Sequence, residues 1–256
     1  MRWLLLVITA SAALAGDPHT ARTHITAGDA AYRQGVQAAS AEEASAAFAQ
    51  AAAEYSAAIE AGAANGYVLY NRGNARLKSG RLGAAIADYE RALALLPRLG
   101  DLRANLRYAE AAAAGEPQAA APHDLLTPLL APHTRTTLAE TAWAAAALYA
   151  LTFVLLTMQA VRPSAAVKRA VVAAAVLCAV ACASLGVKLW YAGGTRAVVV
   201  VDETAVRSGN AQGFAEKYRV AEGTRARVLD ERDEWYKIRI SRDEVGWIPR
   251  GAVEVF

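Results

Sequence analysis

Side chains able to do bond-making chemistry are few and scattered in this 256-residue chain. Asp230, Glu231, Asp233 and Glu234 come nearest to the paired carboxylates of general acid–base catalysis, but Arg232 interrupts them and the run reads as a solvated turn. Cys178 and Cys182 stand four residues apart, on one face of a helix, which is the sharp reading as a redox or metal pair. No His or carboxylate accompanies them, so they read more simply as small apolar filler. His19, His24, His123 and His133 lack metal-ligand spacing, and no Ser-x-x-Lys, GxSxG or phosphate loop occurs. The expectation is a protein that is not an enzyme, with no cofactor and no metal.

What remains is binding, and charge distribution decides where. Hydrophobic residues make up 55% of the chain and charged residues 20%, a balance that points toward a membrane. Residues 16–141 carry 11 Lys/Arg and 13 Asp/Glu, and residues 192–256 carry 11 of each. Neither segment is basic enough to neutralise phosphates, so no nucleic-acid partner is expected. The other cations, Arg2, Arg162, Lys168, Arg169 and Lys188, border apolar runs. MRWLLLVITASAALAG predicts a secretory signal over residues 1–15; a retained first anchor is the alternative. The runs 142–161 and 170–190 are long enough to cross a hydrocarbon core as helices, with Trp143, Trp190 and Tyr191 at their edges. A buried soluble hairpin is the other reading. The loop 162–169 holds three cations and no acid, which places it in the cytoplasm and both flanks of the hairpin outside a bacterial inner membrane, in the periplasm.

Between signal and hairpin the chain repeats at an offset of 34, pairing Tyr55 with Tyr89, Ala58 with Ala92 and Asn71 with Asn105. That is the period of tetratricopeptide repeats. The unit YNRGNARLKSGRLGAAIADYERALALLP resembles the repeat consensus at Gly73, Ala85, Tyr89, Ala92 and Pro97, and departs from it at Arg72 and Arg76. The preceding unit is expected to be degraded: QAASAEEASAAFAQ replaces a clean first helix, and Ala39 stands where glycine is expected. DLRANLRYAEAAAAG follows as a capping helix. So short an array must lean on a partner or on the membrane. Its concave face would present Tyr70, Asn74, Lys78 and Tyr108, either as a binding groove or as a solvated face. Of these only Asn74 fits a carboxylate clamp.

Residues 116–141 form a proline-containing linker with Leu125, Leu126, Leu129 and Leu130 as an apolar patch, suited to the headgroup layer or to packing on the repeats. After it and the hairpin, five short runs, AVVVV, TRARVLD, EWYKIRI, GWIP and VEVF, predict a small barrel over 196–256. Their order is similar to a bacterial SH3 domain. Trp235 and Pro249 match the polyproline groove of eukaryotic SH3 domains, but the first strand lacks that groove's tyrosines and Ala252 stands where another would be, so proline-rich recognition is not expected. Trp247 is expected in the core; Trp235 reads equally as core or contact.

The fold class is therefore a multidomain membrane protein: an all-α tetratricopeptide solenoid over 27–115, a two-helix transmembrane hairpin and an all-β SH3-like barrel. This order resembles BatE-type proteins of aerotolerance operons. The resemblance implies a membrane-anchored periplasmic scaffold for protein–protein interaction in an envelope stress complex, with von Willebrand factor A membrane proteins of the same operon as partners. The alternative is a cell-wall adaptor whose barrel binds peptidoglycan peptides while the repeats recruit a hydrolase.

Overall fold

The structure, a computed structural model, describes residues 17–115 and 133–256. The expected signal peptide and the proline-containing segment up to residue 132, with its leucine patch, lie outside the described residues. Two units divide the chain: one joins residues before 120 to residues from Thr195 onward, and the other is Ala121–Gly194.

The first unit opens with five helices: α1 (Pro18–Gln37), α2 (Ala41–Glu60), α3 (Gly66–Lys78), α4 (Leu82–Leu95) and α5 (Gly100–Ala114). Local chemistry sets their starts. The Asp17 carboxylate accepts from the His19 amide, the Ser40 hydroxyl from the Glu43 amide, and the Asn65 side chain from the Tyr67 and Val68 amides. Gly115, at φ 67°, ends α5. The helices stack as two hairpins and a cap, and they bury Tyr55, Tyr89, Ile86 and Leu102.

The helical pair ahead of residue 66 corrects the expected position of its first helix. Its first helix is α1, which lies ahead of QAASAEEASAAFAQ, and the small residue facing the repeat tyrosine is Gly28 rather than Ala39. A Cβ on Gly28 would lie 2.9 Å from the Tyr55 ring, as one on Gly73 would lie 2.7 Å from Tyr89. Helices of 20 residues replace the 13 and 14 of the second repeat. The longer hairpin moves the glycine out of the 34-residue register.

Seven antiparallel strands follow: β1 (Arg196–Val199), β2 (Glu203–Arg207), β3 (Glu216–Ala221), β4 (Arg225–Arg232), β5 (Trp235–Arg239), β6 (Val245–Pro249) and β7 (Val253–Val255), in sheet order β3-β2-β6-β5-β4-β1-β7. The five expected runs hold β1, β4, β5, β6 and β7. The β2–β3 hairpin is additional, and only Val206 and Val220 in it are buried, so it carries little apolar alternation.

β1 explains its own sequence. Ala197 and Val199 face the sheet core with Val206, Val220, Ile238 and Ile248, whereas Val198 enters the helical core with Ile86, Tyr89 and Leu102. A strand covered on both faces needs a continuous apolar run, and AVVVV is one. The minimal repeat array therefore leans on the sheet. Gly83, at the start of α4, lets the two backbones meet: a Cβ there would fall 2.1 Å from the Val199 carbonyl oxygen. Its amide donates to Glu222 at 2.7 Å.

The second unit holds α6 (Leu138–Val161) and α7 (Ala165–Ala192), packed antiparallel on each other. Thr137 and Glu140 form a reciprocal capping box at the start of α6. Both helices are long and apolar enough to cross a membrane. Trp143, Phe153, Val180 and Trp190 are all more than 60% exposed, so the hairpin turns its large apolar side chains outward.

Candidate functional site

Arg72 and Arg76, the two departures from the repeat consensus, converge on Asp88 beneath the sheet. Arg72 clasps the Asp88 carboxylate through Nε at 2.9 Å and Nη2 at 2.5 Å, and Arg76 Nη1 adds a bond at 2.8 Å. Asp88 is fully buried, so this pairing is what permits its charge. The sheet supplies the second acid. Glu254 of β7 accepts from Arg76 at 2.9 Å and from Arg91 of α4 at 2.6 Å, and Arg91 also donates to the Val255 carbonyl. Phe256 lies between the guanidinium groups of Arg91 and Arg196, 5.1 and 5.0 Å from its ring centre. Arg225 closes the far side on Glu90 and Glu110.

Burial pushes the Asp88 carboxyl up, against the pull of Arg72 and Arg76. Burial acts on Glu254 in the same direction, but Arg76, Arg91 and Arg72 outweigh it and hold that carboxyl below the usual carboxylate range. Three guanidiniums over two acids thus bind repeat and sheet into one body. Sequence reasoning saw the arginines as an irregularity because Glu254 is remote in the chain.

With one side of the repeats occupied by the sheet, a cleft of about 220 Å³ remains, lined by Asp29, Tyr32, Arg33, Tyr55, Asn71 and Asn74. Its floor is rigid. Tyr55 donates to Asp29 at 2.6 Å, and the Asn74 carbonyl accepts from both Tyr89 and Asn105 at 2.8 Å. Burial and the Asp29 bond push the Tyr55 hydroxyl well above its ordinary range, so it remains a donor. Of the expected groove residues, Asn74 lines this cleft; Tyr70 joins it through Asn105 at 3.3 Å. Lys78 instead covers the Phe48 ring at 5.5 Å, and Tyr108 stands 52% exposed on α5. The sequence did not single out Asp29, Tyr32 or Arg33, because α1 lies outside the 34-residue register.

The sheet brings Trp235 and Pro249 together as a directly opposed pair across β5 and β6. In the adjacent row, Arg207, Trp247 and Lys237 align across β2, β6 and β5. Opposed residues share a face and neighbours along a strand alternate. Both tryptophans therefore lie on the face away from Val206, Ile238 and Ile248, and Trp247 is buried there, as expected, though outside that cluster. Each is only 8% exposed, and two long cations lie over one of them: Arg232 and Lys237 stand 5.7 and 6.0 Å from the Trp247 ring centre. Ala252 packs into the core of the sheet. The acidic run spans the end of β4 and the β4–β5 turn, with Asp230 on Arg232 and Glu231 on Arg250. Among the described residues no cluster of His, Cys, Asp and Glu is arranged to hold a metal ion.

Compared with known families, residues 66–99 match the tetratricopeptide repeat model and residues 202–254 the bacterial SH3 domain model. No curated protein and no solved structure matches the chain significantly. The architecture is thus a tetratricopeptide-like helical region, two apolar helices and a C-terminal antiparallel sheet consistent with an SH3-like domain. Modules of these two kinds point to protein–protein interaction or cell-wall binding.

Proposed function

We propose that the protein is a non-enzymatic scaffold, held in a bacterial inner membrane by the α6–α7 hairpin, that presents the repeat cleft and the SH3-like face in the periplasm for protein–protein interaction. The BatE-type resemblance in module order supports assignment to an envelope stress complex with von Willebrand factor A membrane proteins. The observation that carries the reading is the buried Arg72–Arg76–Asp88–Glu254 network, which holds two interaction modules at one fixed spacing. Rigid presentation spares a partner the ordering cost of two loose domains. The outward apolar side chains of the hairpin support the bilayer reading over a buried soluble one.

A photo-crosslinking residue at Asn71, in the cleft, tests this in cells. It should give one discrete adduct with a membrane-anchored von Willebrand factor A protein, absent when the same probe sits at Ser241 in the exposed β5–β6 turn. Identical adducts from both positions, or none from the cleft, would refute the scaffold role.

One observation favours a second reading. The row Arg207–Trp247–Lys237 beside Trp235 and Pro249 sets two cations on either side of a buried indole on one sheet face, and those cations suit the carboxylates of peptidoglycan stem peptides. Full-length protein should then pellet with purified sacculi, and Lys237→Ala or Trp247→Ala should release it; equal pelleting by both variants counts against the wall adaptor.

A further inference from the structure

At the closed end of the apolar hairpin the two helices leave a cleft of about 690 Å³ between Phe153, Thr157 and Met158 of α6 and Val167 of α7. Its walls are apolar and exposed: Phe153 is 65% and Met158 50% accessible. The mouth is different in kind. Arg162 and Ser164 line it, and Lys168 and Arg169 follow in the first turns of α7. No acidic residue occurs anywhere from 141 to 201 to neutralise these cations. The α7 N-terminus adds its own partial positive charge beside them, and the Ser164 amide is held by the Gln159 side chain at 3.3 Å.

An anion alone would leave the apolar cleft unfilled, and an uncharged lipid would leave the cations unused. We infer that this cleft is a binding site for an anionic phospholipid, with one acyl chain between Phe153, Thr157, Met158 and Val167, its phosphate at Arg162 in the mouth, and Lys168 and Arg169 adding positive charge from the next turn of α7. Cations near a membrane surface attract anionic lipids by about 1 kcal/mol each, and basic clefts between membrane helices are suited to anionic headgroups. The inference rests on the membrane-hairpin reading above.

Native mass spectrometry of delipidated full-length protein in detergent tests it, with phosphatidylglycerol and phosphatidylcholine added in competition. Wild-type protein should retain phosphatidylglycerol over phosphatidylcholine by roughly 100-fold, the factor that three surface cations at about 1 kcal/mol each would give. Arg162→Gln, Lys168→Gln and Arg169→Gln together should bring the ratio near one. Thr157→Trp fills the cleft with every charge in place and should lower it as far. Parity in the wild type, or a preference that either variant leaves intact, would overturn the inference. An alkaline carbonate wash of membranes separates the two levels: wild-type protein released by the wash refutes the hairpin itself, whereas retained protein without lipid preference refutes only the site.

Discussion

Glu254→Ala should loosen the helices as much as the strand that carries the residue. The change removes two charge-assisted bonds, 2.9 Å to Arg76 and 2.6 Å to Arg91, and leaves Arg91 without its nearest carboxylate. Such bonds contribute about 1.5–3 kcal/mol each when desolvated. The Glu254 side chain is 22% exposed, so water screens part of this, and Asp88 still holds Arg72 and Arg76. A loss of about 2–3 kcal/mol follows, below the ~3–5 kcal/mol of a fully buried broken pair. For a body of this size that corresponds to roughly 4–12 °C in Tm. Amide hydrogen exchange on full-length protein in detergent reads the effect by segment. Peptides from α3 and α4 should lose protection together with those from β1 and β7. Glu254→Gln, which keeps an acceptor, should fall between, and Glu244→Ala, in an exposed turn, should change nothing. Unaltered protection in α4 beside a loosened β7 would show that the two modules are independent and that the network joins nothing.

Gly83→Ala should open the same interface by steric means, because its Cβ would sit 2.1 Å from the Val199 carbonyl; Gly100→Ala, with open space around it, is the matched control in a thermal melt. Acid should weaken docking in a defined direction. Glu254 has a folded pKa below its unfolded value near 4.3, so its contribution is present above that value and lost as pH falls through the lower folded one. Exchange protection in β7 measured down a pH series should decline there, and a decline on raising pH from neutral would have the wrong sign. Asn74→Ala removes the acceptor shared by Tyr89 and Asn105 and should cost about 1–3 kcal/mol in a denaturant titration while abolishing the Asn71 crosslink.

Much of this architecture is readable along the chain because it rests on local periodicity. The second repeat keeps its glycine, alanines and tyrosine in register, and AVVVV, EWYKIRI and GWIP each mark a strand. Legibility failed where a residue's reason lies far away. Arg72 and Arg76 look like defects until Glu254, about 180 positions later, is placed against them. Val198 looks like one more valine until its side chain is seen to belong to the helical core. In the first helical pair, longer helices shift Gly28 out of register while leaving Tyr55 in step with Tyr89. The tryptophan face could have been read from alternation, since Ile238 and Ile248 claim the core and their neighbours must point away. Lys188 is the instructive exception to charge counting. It borders the C-terminal end of α7, which the positive-inside reading would put outside, but its ammonium donates to the Thr136 hydroxyl and the Thr137 carbonyl and to the Thr141 hydroxyl. Those oxygens satisfy the ammonium locally, which reduces its weight as a topology signal.

Sidedness is the measurement on which the account turns. Single cysteines at Ser241 in the sheet and at Ala166 beside the hairpin tip, in a chain with Cys178→Ala and Cys182→Ala, can be challenged in intact spheroplasts with a thiol reagent that does not cross the inner membrane. Labelling at Ser241 with protection at Ala166 is the predicted result; labelling at Ala166 with protection at Ser241 would contradict it.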